Sequence, residues 1–274
     1  MDRLEVLISC MGQDISIAEK TGVRSDALII DQCDEDSREE IRNEYLTRMI
    51  RTTERGLSNS RNAAIRNAMG DIILFCDDDE QLDPGYRETI LSAYAEIPDA
   101  DLIAFRMKNQ PSRLKQKKQR LNTLTALRIS SWQITCRTES IRRKGIYFDP
   151  LMGAGSGNGA QEEVKFLRDC LKRGLKIWYV PEDIGEVANA YYETGDQEGT
   201  WFTGFDEKFF YQRGTSTRYM LGLPLSVLYA FYYTAGKRKM YGKYISPLKA
   251  LQCTLSGILN NDLEKQKKER GNAV

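Results

Sequence analysis

Three consecutive aspartates, Asp77, Asp78 and Asp79, are followed by Glu80 and stand directly after the apolar run 71–76 (DIILFC). Carboxylates this close, at a partly desolvated strand end, repel one another and raise each other's pKa values. A divalent cation removes that repulsion. Mg2+ and Mn2+ favour oxygen ligands, and Mg2+ is usually held by one or two carboxylates together with substrate phosphates. The cluster therefore fits a metal–diphosphate site. A solvated acidic turn, or acids favoured by a helix N-terminus, is the competing reading. A second acidic pair, Glu162-Glu163, opens a helical pattern. A carboxylate there could take a proton from a hydroxyl nucleophile, or simply suit the first turn of a helix. The chain has no histidine, which removes Ser-His and Cys-His nucleophile pairs. Its six cysteines, at 10, 33, 76, 136, 170 and 253, form no CxxC pair, so nothing supports a Cys/His zinc site.

These acids need elements to hold them. Residues 4–9 (LEVLIS), 27–30 (ALII), 71–76 and 101–107 (DLIAFRM) are continuous apolar runs, the pattern of strands buried on both faces. Residues 15–21, 58–68 and 84–97 read as helices between them. Ser58 or Asn59 is the expected N-cap and Gly70 the expected C-cap of the second helix, and Pro84 opens the third. This alternation predicts an α/β fold with a Rossmann-like, mainly parallel central sheet and flanking helices. Ligands of such sheets bind outside the carboxyl ends of the strands, and acids stand there twice, at Asp31 and at 77–80. Further on, 153–159 (GAGSGNG) reads as a flexible loop. Residues 162–173 read as an amphipathic helix with Val164, Phe166, Leu167, Cys170 and Leu171 on one face and Gly174 as its C′ residue. Residues 175–180 (LKIWYV) read as a strand stopped by Pro181.

The segment GLSNSRNAAIRNAMGDIILFCDDDE resembles the core of family 2 glycosyltransferases, which have the GT-A fold. Gly56, Leu57, Ser58, Arg61 and Asn62 match a Gly-Leu/Ala-Ser-x-Ala-Arg-Asn segment. Gly70-Asp71 match the Gly-Asp/Glu after its helix, and Asp77-x-Asp79 the Asp-x-Asp motif, without gaps. GAQEEVKFLRDCLKRGLKIWYVPE is similar to the family's second block, which is Gly-Glu-Asp, a helix, and a strand ending in Val-Pro. Gln161 stands where Gly is usual, and Glu162-Glu163 where Glu-Asp is.

The resemblance implies transfer of a sugar from a nucleotide-sugar donor, a UDP-sugar first, to a hydroxyl of a saccharide or lipid-linked acceptor. It implies inversion at the anomeric carbon and a place in surface-polysaccharide synthesis. It implies Mn2+ or Mg2+ held by Asp79 and Asp77, and Glu163 as catalytic base with Glu162 as the alternative. Donor contacts are implied for Ser9, Cys10, Asp31, Arg61, Asp77 and Asp78. Arg61 could equally orient the acidic loop through a salt bridge, and the glycine loop could close over an acceptor or be only a connection. A nucleotidyltransferase and a non-catalytic nucleotide-sugar-binding protein are the other readings. The first would usually show a glycine-rich basic phosphate loop after the first strand, where CMGQD stands. Intact Asp77, Asp79 and Glu163 argue against the second.

At 274 residues and a formal net charge of +1, the chain can bury a full core, and bulk electrostatics nominate no nucleic acid. The expected organisation is a glycosyltransferase domain over 1–205, nucleotide-binding in 1–110 and acceptor-binding in 111–205, then a helical region over 206–274. Scattered cysteines and an N-terminus without signal-peptide character predict a cytoplasmic protein. Local charge is less even. Residues 106–128 hold eight Lys/Arg and no acid, which could serve an anionic acceptor or form a solvated face. Residues 219–236 carry no charge, and Lys237, Arg238 and Lys239 follow. Interrupted by Pro224, this stretch suits an interfacial segment, peripheral on the inner face of the cell membrane, better than a span. A buried helix pair or an oligomer contact explains the same residues.

Overall fold

The computed structural model describes residues 2–110, 114–158, 161–187 and 204–271. The chain divides into two units, residues 1–148 with 162–190, and residues 149–161 with 191–274. The strands belong to the first unit: β1 (Leu4–Met11), β2 (Asp26–Gln32), β3 (Ser37–Arg42), β4 (Leu46–Thr52), β5 (Ile72–Asp77), β6 (Glu80–Leu82), β7 (Leu102–Arg106), β8 (Gln119–Arg120), β9 (Ile134–Arg137), β10 (Ile177–Asp183) and β11 (Gly185–Val187). So do helices α1 (Ile17–Lys20), α2 (Leu57–Asn67), α3 (Tyr86–Glu96), α4 (Thr123–Ala126), α5 (Thr138–Arg143) and α6 (Glu162–Lys172). Strands β6 and β11 pair with each other, and the other nine form one sheet in the order β3-β4-β2-β1-β5-β9-β7-β10-β8.

The apolar runs decide where that sheet's core lies. Val6, Ile8, Ile72, Leu74 and Cys76 pack on one face, and Leu7, Ile73 and Phe75 on the other, so β1 and β5 are buried on both sides. β1 runs parallel to β2 and β5, and β2 parallel to β4. Their carboxyl ends therefore share one edge. Register sets Ser9 beside Asp77 and Cys10 beside Asp31, and Asp31 beside Arg51. β9 enters antiparallel between β5 and β7, and β10 pairs parallel with β7.

Three local features differ from the sequence expectation. The segment 37–52 forms an antiparallel pair, β3 with β4, at the sheet edge. Its outer strand SREEIR is almost wholly exposed, so it lacks the apolar run that marks a buried strand. Gly56, not Ser58 or Asn59, is the N-cap of α2, and Ala68 its C-cap. Gly70 serves close approach instead. A Cβ there would lie 2.7 Å from that of Glu5, and the Gly70 amide donates to the Glu5 carboxylate at 2.8 Å. β10 runs through Pro181 to Asp183, with a register shift against β7 between Tyr179 and Asp183. Such a bulge tolerates a residue without an N–H. In the basic stretch, Arg106 pairs with Asp183, Lys108 with Asp83, and Lys118 with Glu96, so these cations are partly neutralised by the protein itself.

The second unit holds α7 (Glu207–Leu221), α8 (Leu223–Gly236), α9 (Arg238–Tyr241), α10 (Pro247–Asn260) and α11 (Asp262–Gly271). The uncharged run 219–236 is split at Gly222, whose φ of 77° ends α7 and caps α8. Among the described residues, no helix is long and apolar enough to cross a membrane. Phe210, Tyr233, Tyr241 and Ala250 form this unit's core, and the Arg213 guanidinium lies 4.2 Å from the Tyr233 ring centroid. Residues 153–158 of the glycine loop close on themselves: Gly153 N donates to Asn158 O at 2.9 Å, and the Ser156 hydroxyl to Gly153 O at 2.7 Å. Gly159 lies outside the described residues.

Candidate active site

The acid cluster falls at the carboxyl end of β5, where the parallel strands β1 and β2 also end. α2 follows strand β4 and brings Arg61 to it. Arg61 is almost fully buried. Its Nη2 donates to both oxygens of Asp77, at 2.9 and 3.0 Å, and its Nη1 donates to Glu162 Oε1 at 3.0 Å. Burial alone would lower the pKa of this guanidinium, but the carboxylates of Asp77 and Glu162 outweigh that and hold it charged. The guanidinium carbon stands 5.4 Å from the ring centroid of Phe148. Phe148 stacks on Phe166 at 4.3 Å and meets Phe75 edge-on at 5.2 Å. This aromatic floor joins β5, α6 and the segment before residue 149.

Asn62, the next motif residue, locks the same segment. Its Nδ2 donates to Phe148 O at 2.8 Å and its Oδ1 accepts from Phe148 N at 2.7 Å, so the side chain pairs like a piece of backbone. α6 arrives amphipathic, with Val164, Phe166, Leu167 and Cys170 buried. It ends in a turn closed by Gly174 N to Leu171 O and Leu175 N to Cys170 O. That packing fixes Glu162 and Glu163 at its first turn.

The two acids meet different surroundings. Glu162 is buried against Arg61. Glu163 is half-buried, and its carboxyl is pushed up to about 8, first by burial and then by the Glu162 carboxylate. Asp79 is likewise half-buried and pushed up to about 6 by burial, then by Asp77 and Asp78, with no cation among the causes. Asp78 is exposed and also raised, by burial of its carboxyl and by Asp77. Glu80 accepts from Asp77 N at 2.9 Å. Its carboxyl lies far above its ordinary value through burial and Asp77, and its other oxygen has no partner among the described residues.

The remaining expected donor contacts lie inside the strand edge. Ser9 Oγ accepts from the Ser60 hydroxyl at 2.9 Å. Asp31 is buried: its Oδ1 accepts from Gln13 N at 3.0 Å and from the Cys10 thiol at 3.6 Å, and Arg51 stands 3.9 Å from its Oδ2. Asp31 thus shapes the turn after β1. Burial and Asp31 raise the Cys10 thiol far above its usual value, so it is no nucleophile.

Among the described residues, no three His, Cys, Asp or Glu converge to hold a metal by themselves. Asp77 is committed to Arg61, whereas Asp79 is crowded by like charge without relief. This donor set fits a divalent cation whose shell is completed by substrate oxygens rather than by a protein cage. Arg61, Asn62, Glu80 and the phenylalanine floor carry the geometry. Of these, Arg61 was singled out by sequence and Asn62 only as part of its motif. Glu80 and the floor had no signal beyond an acidic run and apolar spacing.

The profile of the family described as Glycosyl transferase family 2 matches residues 15–152. The fold resembles the crystal structure of S. aureus TarS 1-349 in complex with UDP-GlcNAc, with TM-score 0.60 and 12% identity, covering 98% of this chain and 92% of that one. The same protein in complex with UDP gives TM-score 0.58 at 11% identity, with the same coverage. The mannosyltransferase PcManGT from Pyrobaculum calidifontis, in complex with GDP-Man and Mn2+, gives 0.51 at 12%, covering 93% of this chain and 74% of that one. Among proteins of curated function, none matches the chain in sequence. With half its length on the family profile and an acid cluster at the carboxyl edge of a GT-A sheet, the chain belongs to glycosyl transferase family 2 and is a glycosyltransferase.

Proposed function

We propose that the chain transfers a sugar, with inversion, from a nucleotide-sugar donor to a hydroxyl of a saccharide or lipid-linked acceptor, with Glu163 as base. One observation carries this reading. Arg61 forms its ion pairs with Asp77 and Glu162, and so leaves Asp79 and Glu163, the second acid of each motif, outside those pairs with raised carboxyls. Glu163 takes the acceptor's proton. The freed oxygen forms a bond to the anomeric carbon as the bond to the diphosphate breaks, its electron pair leaving with the nucleoside diphosphate. Asp79 would hold a divalent cation, Mn2+ or Mg2+, which would supply Lewis-acid stabilisation of the charge on that leaving group. Asp77, held by Arg61, positions the loop that carries Asp79, and Ser9, Cys10, Asp31 and Asp78 shape the donor side.

A UDP-sugar is the first choice of donor, supported by the UDP-GlcNAc and UDP bound to TarS, and a GDP-sugar is the second, supported by PcManGT. A cytoplasmic setting and a role in surface-polysaccharide synthesis complete the reading; the first is supported by six cysteines that are all free. The experiment is a thermal-shift and donor-hydrolysis screen of UDP-, GDP- and dTDP-sugars and their nucleoside diphosphates, with and without Mn2+. One nucleotide should stabilise the protein only when Mn2+ is present, and Asp79→Ala should lose that shift while melting normally alone. If Asp79→Ala binds nucleotide and Mn2+ as wild type does, the cation is not at Asp79. If no donor is hydrolysed and no nucleotide shifts the melt, the donor reading is wrong.

A further inference from the structure

In water, a helix buries its large apolar side chains and exposes small or polar ones. Helix α8 does the reverse. Its buried positions are Ser226, Ala230, Thr234 and a single aromatic, Tyr233. Leu225 is 54% exposed, Leu228 65%, Phe231 52% and Tyr232 68%. Leu225, Leu228 and Phe231 are three apart and Tyr232 is four after Leu228, which puts them on one face. The helices beneath are built the same way. α7 and α10 pack together through Gly214 and Gly257. A Cβ on Gly214 would lie 2.1 Å from Thr254 O, and one on Gly257 2.1 Å from Tyr211 O. Thr215, Ser216, Thr217 and Thr254 are buried around this contact, while Leu248 and Leu259 of α10 face outward. Small residues between helices and leucines outside are the arrangement of helices that have an apolar medium around them.

Charge identifies the medium. From Lys208 to Asn261 the sequence holds eight Lys/Arg and no Asp or Glu. Lys237, Arg238 and Lys239, directly after α8, are all exposed. A second copy of the chain docking by the same face would oppose these cations to themselves. An anionic lipid surface complements them. Helix α8 has 14 residues, about 21 Å of length against about 30 Å of bilayer hydrocarbon, so it is too short to cross a bilayer.

We infer that α8 and the basic segment 237–239 dock the protein on anionic phospholipid, with Leu225, Leu228 and Phe231 entering the acyl boundary and the cations meeting the headgroups. This does not rest on the sugar-transfer reading, because lipid binding is read without activity. The experiment is flotation of the full chain with vesicles of phosphatidylcholine alone or mixed with phosphatidylglycerol. Wild type should float with the anionic vesicles and less so as salt rises. Lys237/Arg238/Lys239→Glu and, separately, Leu228→Ser with Phe231→Ser should each lower vesicle partition about tenfold or more, with donor hydrolysis and melting temperature retained. Wild type that stays at the bottom with every composition overturns the proposal. So does sedimentation showing a concentration-dependent dimer that Leu228→Ser/Phe231→Ser dissolves while flotation is unaffected: the face then belongs to a second copy.

Discussion

At the floor of the site, Asp77 and Glu162 share one buried guanidinium, and every contact among them is 2.9 or 3.0 Å. Two residues further from Asp77, and one from Glu162, the carboxyls of Asp79 and Glu163 are half-buried and raised to about 6 and about 8. At the floor both carboxylates are hydrogen-bonded to the one guanidinium; the second set lies outside these ion pairs and is raised by burial and like charge. Structural ion pairs make a site rigid, whereas an unrelieved carboxyl is what can accept a proton or a cation. On the proposed reading the difference divides the work within each motif: its first acid anchors the motif to the fold, and its second acid is the one to meet the substrate.

Removing the shared cation separates the two sets most sharply. Arg61→Met leaves buried Glu162 and part-buried Asp77 without their cation, which costs about 3–5 kcal/mol, a large part of the roughly 5–15 kcal/mol that stabilises an ordinary domain. Urea unfolding of the variant should show that loss. A change below about 1 kcal/mol would mean that the ion pairs do not hold the site together, and the contrast drawn above would fail.

Glu163→Gln probes the open set. As an isosteric change without base strength, it should lower turnover by about 10²–10⁴ with nucleotide binding retained. An equal loss in Glu162→Gln with little in Glu163→Gln would exchange their roles. The raised carboxyl also fixes two pH signs. As the proposed base Glu163 would act as the anion, so wild-type turnover should climb with pH toward about 8. For stability the sign is opposite. The folded carboxyl holds its proton more tightly than the unfolded one, whose ordinary value is 4.5. Its contribution is fully present below about 4.5 and is lost as pH rises through about 8. Wild type should therefore weaken relative to Glu163→Gln across that window, in parallel urea titrations. A constant difference from pH 4.5 to 8 would show that Glu163 is not strained.

The open acids were legible in the sequence because their signal is local: an acidic run after an apolar strand, and an acidic pair before an amphipathic helix. The core strands β1 and β5 were legible for the same reason, since burial on both faces writes an unbroken apolar run. What joins the site was not. Arg61 meets Glu162 across 101 positions, and Asn62 meets Phe148 across 86, separations set by the sheet order rather than by any short pattern. β3 was missed because an exposed edge strand need not be apolar. In α8 the lack of charge was visible, but a helix apolar nearly all round does not say which face it buries.

The smallest expected effect sits where the family pattern and this chain part. Gln161, directly before α6, has a φ of 75°, a region that glycine enters freely and that costs another residue about 1–2 kcal/mol. Its side-chain oxygen is buried without a partner among the described residues. Both terms favour glycine, while glycine's greater freedom in the unfolded chain takes back roughly 0.5–1 kcal/mol. Gln161→Gly should therefore stabilise the protein by at most about 1 kcal/mol, seen as a small rise in the urea midpoint. Activity then tells whether the strain has a use. If the tight turn aims Glu163, loosening it should lower kcat while nucleotide binding stays as it was. Unchanged kcat with the gain in stability would mean that packing of α6 alone, through Phe166 and Leu167, holds the open acid in place. A loss of stability instead would mean that Gln161 makes contacts worth more than the strain it carries.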